Sequence, residues 1–154
     1  MQSGSRDIRN RILVYGYGNP GRQDDGLGPA IIERLDADEI PGVATDSNYQ
    51  LQVEDALAVS QSDTVIFVDA AESGDDPFTF TELEPSNETG FTTHSLSPGT
   101  LLALCRDMFR KSVRAHVLAI RGYKWDFMEE LTPGAEKNLD LAYRFLKKKL
   151  WTLL

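Results

Sequence analysis

Several residue types are scarce in this chain of 154 residues. It has one cysteine, Cys105, and two histidines, His94 and His116. A lone cysteine forms no intramolecular disulfide and cannot build a cysteine-rich zinc site. Long hydrophobic runs are also missing, since no apolar stretch approaches the roughly 20 residues that cross a bilayer. The sequence therefore argues against a disulfide scaffold, a zinc ribbon and a membrane-spanning protein.

The chain also has fewer positively than negatively charged residues. The 16 lysines and arginines face 24 aspartates and glutamates, which gives a net charge of −8 and a pI near 4.7. Such a balance repels phosphate backbones and anionic lipid headgroups. We therefore expect partners that are neither nucleic acid nor membrane.

The composition is that of an ordinary globular domain, with 41% hydrophobic and 26% charged residues. Residues 1–10 are polar and mixed in charge, without the apolar core of a signal peptide, and are expected to form a flexible lead-in. Residues 11–154 are long enough to close one hydrophobic core, and no linker or repeat divides them. We expect a single domain and a cytoplasmic location.

Hydrophobic patterning alternates between the two kinds of secondary structure. Short β-branched runs predict strands, and apolar residues three and four apart predict helices. Alternating strands and helices favour a three-layer α/β/α domain with a mostly parallel, mixed five-stranded sheet. The predicted strands are 11–16, 43–46, 63–71, 78–83 and 113–120, and the predicted helices are 26–37, a short one within 51–59, 98–109 and one from 133 onwards.

Two helix starts have clear signals. Ser97 precedes Pro98, which is the pattern of an N-cap followed by a proline in the first turn. Thr132, Pro133 and Glu136 lie in a run that predicts a capping box with proline at the first helical position. Cys105 lies on the apolar face of the helix after Pro98 and is expected to be packing rather than a nucleophile.

Polar residues that could take part in catalysis or metal binding follow three of the predicted elements. Asp24 and Asp25 lie in a glycine-rich turn after the first strand, Asp69 ends the strand 63–71, and His94 precedes the Ser97 helix cap. Ligands of open α/β sheets bind outside the carboxyl ends of the strands, where such residues meet. Carboxylate and imidazole ligands suit a divalent transition metal such as nickel, zinc or cadmium.

Each of these residues also has an ordinary structural interpretation. One aspartate of the turn fits a helix N-cap, Asp69 fits a turn aspartate at a strand end, and His94 fits a solvated loop histidine. His116, within the strand 113–120, is expected to be a sheet or core residue. If two of the carboxylates are buried together, one of them should have a raised pKa until a cation arrives.

A nucleotide-binding alternative rests on the glycines of the same turn. Gly16, Gly18 and Gly21 match the dinucleotide pattern G-x-G-x-x-G after a strand, with Asp46 as a possible ribose acid. That pattern needs the glycines to lead directly into a helix whose N-terminus receives pyrophosphate. Here the apolar helical stripe begins only at Leu27, and two aspartates come first.

Three motifs occur in an order and spacing that resemble one enzyme family. They are Gly16-x-Gly18-Asn19 followed by Asp24-Asp25-Gly26-x-Gly28, then Val65-Ile66-Phe67-Val68-Asp69, then Thr93-His94-Ser95-Leu96. Together they resemble the hydrogenase maturation endopeptidases, and the resemblance runs from about residue 11 to the C-terminal helix. One departure is the segment 48–56, where many relatives have a Gly-Thr turn, and it bears on which precursor is recognised.

The resemblance implies an activity and a set of site residues. Such enzymes remove a C-terminal peptide from the large-subunit precursor of a nickel–iron hydrogenase after nickel has been inserted. The implied metal-contacting and catalytic residues are Asp25, Asp69 and His94, whereas Asp24 is expected to support the loop. The nickel is expected to arrive with the substrate, and cadmium or zinc is expected to substitute in vitro.

Two questions remain open at the level of sequence. Either the metal polarises the scissile carbonyl, or a carboxylate activates water as a general base. A scaffold that holds the nickel-loaded precursor without cutting it would use the same three residues. The sequence identifies neither the precursor nor the oligomeric state.

Overall fold

A computed structural model describes residues 11–86 and 96–154 of the chain. Strands and helices alternate along it, because β-branched apolar runs and amphipathic stripes alternate in the sequence. The strands are β1 (Ile12–Tyr17), β2 (Val43–Asn48), β3 (Thr64–Ala71), β4 (Phe78–Glu82) and β5 (Arg114–Arg121). The helices are α1 (Leu27–Asp38), α2 (Asp55–Ser60), α3 (Pro98–Phe109) and α4 (Pro133–Leu153), with a 3-10 turn at Gln23–Gly26 before α1.

The five strands form one mixed sheet in the order β2-β1-β3-β5-β4. β1 pairs in parallel with β2 and β3, and β3 pairs in parallel with β5. Only β4 is antiparallel, and it lies at the edge beside β5. The chain leaves β1 towards β2 on one side and later returns to β3 on the other side. The carboxyl ends of β1 and β3 therefore mark the topological switch point of the sheet.

Helices cover both faces of the sheet. On one face, α1 and α4 pack on Ile12, Ile66 and Leu118, and on the other, α2 and α3 pack on Leu13 and Phe67. Successive residues of a strand point to opposite faces, so each strand contributes to both cores. The predicted three-layer α/β/α architecture is confirmed. Across the described ranges, no helix is both long and apolar enough to span a membrane.

The predicted elements agree with the observed ones to within a few residues, and two local details differ. The 3-10 turn at Gln23–Gly26 has no counterpart in the prediction, because its residues carry no apolar periodicity. The predicted capping box at α4 is wrong, because the third helical position is Ala135 and not a glutamate. Thr132 accepts from the Ala135 amide at 3.2 Å as an N-cap, but its own amide donates to Asp24 at 2.9 Å, where a capping box would use a glutamate.

Candidate functional site

The turn after β1 is shaped by one glycine and one aspartate. Gly18 has a φ of +144°, and a Cβ there would lie 2.0 Å from the Asp25 carbonyl oxygen. Only glycine permits both this conformation and this approach. The Asn19 amide donates to Asp25 Oδ2 at 2.7 Å, which holds the carboxylate beside the end of β1. The half-buried Asp25 is therefore fixed in place by its own loop.

Asp69 reaches the same place from β3. Its side chain lies on the same face of the strand as Phe67, and Oδ1 accepts from the Ala70 amide at 2.8 Å. Burial, with a smaller contribution from the negative charge of Asp25, raises the pKa of Asp69 to about 6. The expectation that one carboxylate of a buried pair has a raised pKa is confirmed for Asp69.

Tyr17 is a third member of this site, although its contact with Asp69 was not predicted from the sequence. Its side chain forms a hydrogen bond with the Asp69 carboxyl, and burial together with the charge of Asp69 raises the pKa of the Tyr17 phenol. Its ring lies 6.5 Å from the ring of Tyr15, whose hydroxyl donates to Asp55 Oδ2 at 2.7 Å. Tyr17 and Tyr15 alternate with glycine at the end of β1, and this period-two pattern was the available signal.

Asp24 points away from Asp25 and serves a different purpose. Its fully buried carboxylate accepts from the amides of Tyr123 (2.7 Å), Lys124 (3.1 Å) and Thr132 (2.9 Å), and from the Thr132 hydroxyl (2.7 Å). Burial alone raises its pKa, but these hydrogen bonds outweigh burial and hold the pKa of Asp24 below its ordinary value. Asp24 thus supports a loop, as expected, but this loop is 122–132 and not the glycine-rich turn that contains Asp24.

Gln23 completes this attachment. Its amide donates to the Met128 carbonyl at 2.7 Å, and its Oε1 accepts from the Asp126 amide at 3.3 Å. Its φ is +53°, a conformation that costs a non-glycine residue about 1–2 kcal/mol. These contacts stabilise the strained turn. The turn that carries Asp25 is thereby tied to the loop between β5 and α4.

Neither alternative for the glycine-rich turn agrees with this geometry. Gly26 is the N-cap of α1, so the N-cap interpretation of Asp24 or Asp25 is wrong. A Cβ on Gly28 would lie 2.6 Å from the Tyr17 carbonyl oxygen and 2.7 Å from that of Val68, so the first turn of α1 presses against the ends of β1 and β3. Pyrophosphate needs open amides at that place. The contacts at Gly16 and Gly28 serve helix–strand packing, and the contact at Gly18 is with Asp25 within the turn.

His94, the third predicted ligand, lies outside the described residues. Within 11–86 and 96–154, no group of three histidine, cysteine, aspartate or glutamate side chains is arranged to hold a metal ion. The structure brings Asp25 and Asp69 together, and their role as metal ligands, like that of His94, stays a prediction. His116 lies in β5 as expected, with its ring stacked 4.8 Å from that of Phe80.

Comparison with models of protein families and with curated proteins finds no match for this chain. Solved structures do match. The hydrogenase 2 maturation peptidase from Thaumarchaeota archaeon SCGC_AB-539-E09 is 23% identical with a TM-score of 0.68, over 91% of this chain and 97% of that one.

Two further solved structures show the same likeness. The hydrogenase maturating endopeptidase HybD from E. coli is 21% identical with a TM-score of 0.71, over 92% of this chain and 93% of that one. The nickel–iron hydrogenase maturation protease HycI from Thermococcus kodakarensis is 19% identical with a TM-score of 0.70, over 94% and 97%. At these identities the likeness concerns the backbone, and it shows that this chain has the fold of the hydrogenase maturation proteases.

Proposed function

We propose that this chain is an endopeptidase that removes the C-terminal peptide of a nickel-loaded hydrogenase large-subunit precursor. One observation carries the proposal. Asp25 and Asp69 converge at the β1/β3 switch point, on the fold of proteins named as hydrogenase maturation proteases. The motif resemblance across three separate loops supports the same activity. The cytoplasm, where such a precursor would be assembled, is the proposed location.

In this proposal the metal is part of the substrate. Nickel held by the precursor contacts the carboxylates of Asp25 and Asp69 and the imidazole of His94. Oxygen and nitrogen donors of this kind suit nickel, cadmium and zinc. The metal then acts as a recognition tag that positions the scissile bond near the carboxylates. A precursor without nickel lacks this tag and is not cut.

The electrostatics of the site support a carboxylate as the general base. A base works best when its pKa lies near the operating pH, and burial moves the pKa of Asp69 to about 6. The hydrogen bonds from Tyr17 and Ala70 hold the Asp69 carboxylate in one orientation. We therefore assign the activation of water to Asp69, with Asp25 as its partner in holding the metal-bearing substrate.

The surroundings of the site suit a protein substrate. The loop 122–132, which Asp24 and Gln23 attach to the site, exposes Tyr123, Phe127 and Met128. Phe127 is 89% exposed, and aromatic and methionine side chains are enriched in protein contacts. In the proposed function this loop contacts the folded part of the precursor.

A cleavage assay on a purified precursor tests the proposal. Nickel-loaded and nickel-free precursor are incubated with the wild-type chain and with Asp25→Asn, Asp69→Asn and His94→Ala. Asp75→Asn, at an exposed residue of the loop after β3, is the matched control. We expect the wild type and the control to cut only the nickel-loaded precursor, and each site variant to lose cleavage by about 100-fold or more.

Other outcomes decide between the remaining interpretations. Equal cleavage of nickel-free precursor would contradict the role of the metal as a tag. Tight binding of the nickel-loaded precursor without any cleavage would favour the scaffold. A parallel calorimetric titration with Cd²⁺ alone, on the same variants, shows whether Asp25, Asp69 and His94 form one cation site.

A further inference from the structure

A cavity lies at the end of the sheet opposite to Asp25 and Asp69. It has a volume of about 480 Å³ and lies between the end of β4, the connection from α3 to β5, and the last turns of α4. Arg114 and His116, at the start of β5, line it, and their partners in β3 are Thr64 and Ile66. Asp69 comes five residues after Thr64 along β3, so this cavity is distinct from the Asp25–Asp69 site.

The cations of this cavity are only partly neutralised. Lys111, Arg114 and Lys149 line it, and within the described part of the chain none of them forms an ion pair within 4 Å with a carboxylate. Lys149 instead lies 5.6 Å from the centre of the Phe80 ring. On a chain with a net charge of −8, three cations converging on one concave surface create a local positive field.

The remaining wall is mixed in character. Leu102, Val113 and Leu153 give it an apolar part, and Glu82 and Glu84 add two carboxylates near the cations. The cavity has the volume of a typical ligand site, and more than half of the residues that line it are charged or polar. The two glutamates would repel a compact dianion such as phosphate. A peptide instead presents its carboxylates, its amide donors and its apolar side chains at separate points.

We propose that this cavity binds a short acidic peptide segment that also carries apolar side chains. Its carboxylates pair with Lys111, Arg114 and Lys149, its amides face Glu82 and Glu84, and an apolar side chain lies against Leu102 and Val113. Charge complementarity selects the partner, because the rest of this acidic surface repels the same peptide. This proposal is independent of the proposed protease activity.

Fluorescence anisotropy with a labelled peptide of alternating aspartate and leucine tests the proposal on the full chain. The triple variant Lys111→Gln, Arg114→Gln, Lys149→Gln removes the three cations. The triple variant Lys137→Gln, Arg144→Gln, Lys148→Gln makes the same change in net charge at exposed positions of α4 that do not line the cavity. We expect the first variant to weaken binding about tenfold or more, and the second to weaken it less than about twofold.

Circular dichroism of both variants checks that each is folded. Three results would overturn the proposal. They are no binding of the peptide to the wild type, equal weakening by both triple variants, and displacement of the peptide by inorganic phosphate or citrate at the peptide's own concentration. Equal weakening would indicate attraction by net charge alone, and displacement would indicate a site for small anions. Loss of binding only in the cavity variant supports the acidic peptide.

Discussion

Three aspartates within this site differ in what surrounds their carboxylates. Asp24 is fully buried with four hydrogen bonds, Asp25 accepts from the Asn19 amide, and the half-buried Asp69 lies beside another carboxylate. Hydrogen bonds that favour the charged form lower a pKa, while burial and a like charge raise it. The same side chain therefore stabilises the fold at Asp24 and opposes it at Asp69.

The variant Asp69→Asn is expected to be more stable than the wild type at neutral pH. The pKa of Asp69 is raised in the folded state from 3.8 to about 6, so folding favours its protonated form. The cost of ionising it is absent below about pH 4, grows between pH 4 and 6, and is complete above that range. The free energy of unfolding at pH 7 should rise by about 1–3 kcal/mol in Asp69→Asn.

Urea unfolding at a series of pH values measures this difference. The gain in stability should shrink as the pH falls from 6 to 4, while the control Asp75→Asn changes little at any pH. An Asp69→Asn variant that is less stable than the wild type at pH 7 would show that the hydrogen bonds to the Asp69 carboxylate outweigh the cost of ionising it.

The sequence allowed part of this residue-level description and not the rest. The proximity of Asp25 and Asp69 could be predicted, because each follows a strongly patterned strand at the carboxyl edge of the sheet. The partners of Asp24 lie about 100 residues further along the chain, and no local pattern encodes a contact at that separation. The contact of Tyr17 with Asp69 was not predicted, because it depends on the pairing of β1 with β3.

At the scale of elements, the turn before α1 and the loop 122–132 behave as one unit. Asp24 and Gln23 supply side-chain acceptors to the loop, and the backbone of the turn adds two more hydrogen bonds to it. The same carboxylate binds the Thr132 amide at the start of α4. We therefore expect motion of the loop to be coupled to the turn that carries Asp25.

Asp24→Asn tests this coupling. The variant loses a charge-assisted acceptor and places an NH₂ group among donors, which should cost about 2–4 kcal/mol of unfolding free energy at pH 7. Because the pKa of Asp24 is lowered in the folded state, its stabilisation is present above the ordinary aspartate pKa and is lost as the pH falls below it. Hydrogen exchange should accelerate at the amides of Tyr123, Lys124 and Thr132. Unchanged exchange at these amides would contradict the coupling.

Gly18→Ala tests how closely the turn is packed. A Cβ there meets the Asp25 carbonyl at 2.0 Å, so the loop must move in addition to adopting an unfavourable φ. Gly74 also has a positive φ, +100°, but a Cβ added to it would meet nothing within 4 Å, which makes Gly74→Ala the matched control. We expect thermal unfolding to show a loss of about 1 kcal/mol for the control and at least about 2 kcal/mol more for Gly18→Ala.

In the same pair of variants, the affinity for Cd²⁺ distinguishes an effect on the Asp25 site from a general loss of stability. Gly18→Ala should weaken it and Gly74→Ala should leave it unchanged, because only the first displaces Asp25. Equal losses of stability in the two variants would show that the positive φ of the glycine, and not the contact with Asp25, accounts for the loss of stability.

At the scale of the whole molecule, the strand order decides where ligands bind. The strands β2 and β3 lie on opposite sides of β1, so the connections that follow β1 and β3 diverge and leave a crevice between these two strand ends. Nucleotide-binding sheets bind their ligand in the same kind of crevice. Here the first turn of α1 and the carboxylates of Asp25 and Asp69 occupy that crevice. Sequence patterning predicted the layers and the strand directions, since these follow from periodicity. The two aspartates before Leu27 already favoured a cation over a nucleotide, whereas the close packing at Gly16 and Gly28 could not be predicted from the sequence.

The whole-molecule arrangement predicts that NADH does not bind. Two carboxylates and a covered helix N-terminus oppose a pyrophosphate. Fluorescence titration of NADH should show no saturable signal with the wild type or with Asp25→Asn, whereas calorimetry should detect Cd²⁺ only with the wild type. Saturable NADH binding that survives Asp25→Asn would restore the nucleotide-binding alternative.

The single thiol of the chain has a practical consequence. Cys105 is fully buried between α3 and α2, donates from Sγ to the Ala56 carbonyl at 3.3 Å, and has a pKa raised by burial to about 11. A maleimide or disulfide reagent therefore reacts only when these two helices separate. Because the sequence holds one cysteine, no other thiol contributes to the signal. The labelling rate therefore measures how often α2 and α3 separate, and no mutation is needed.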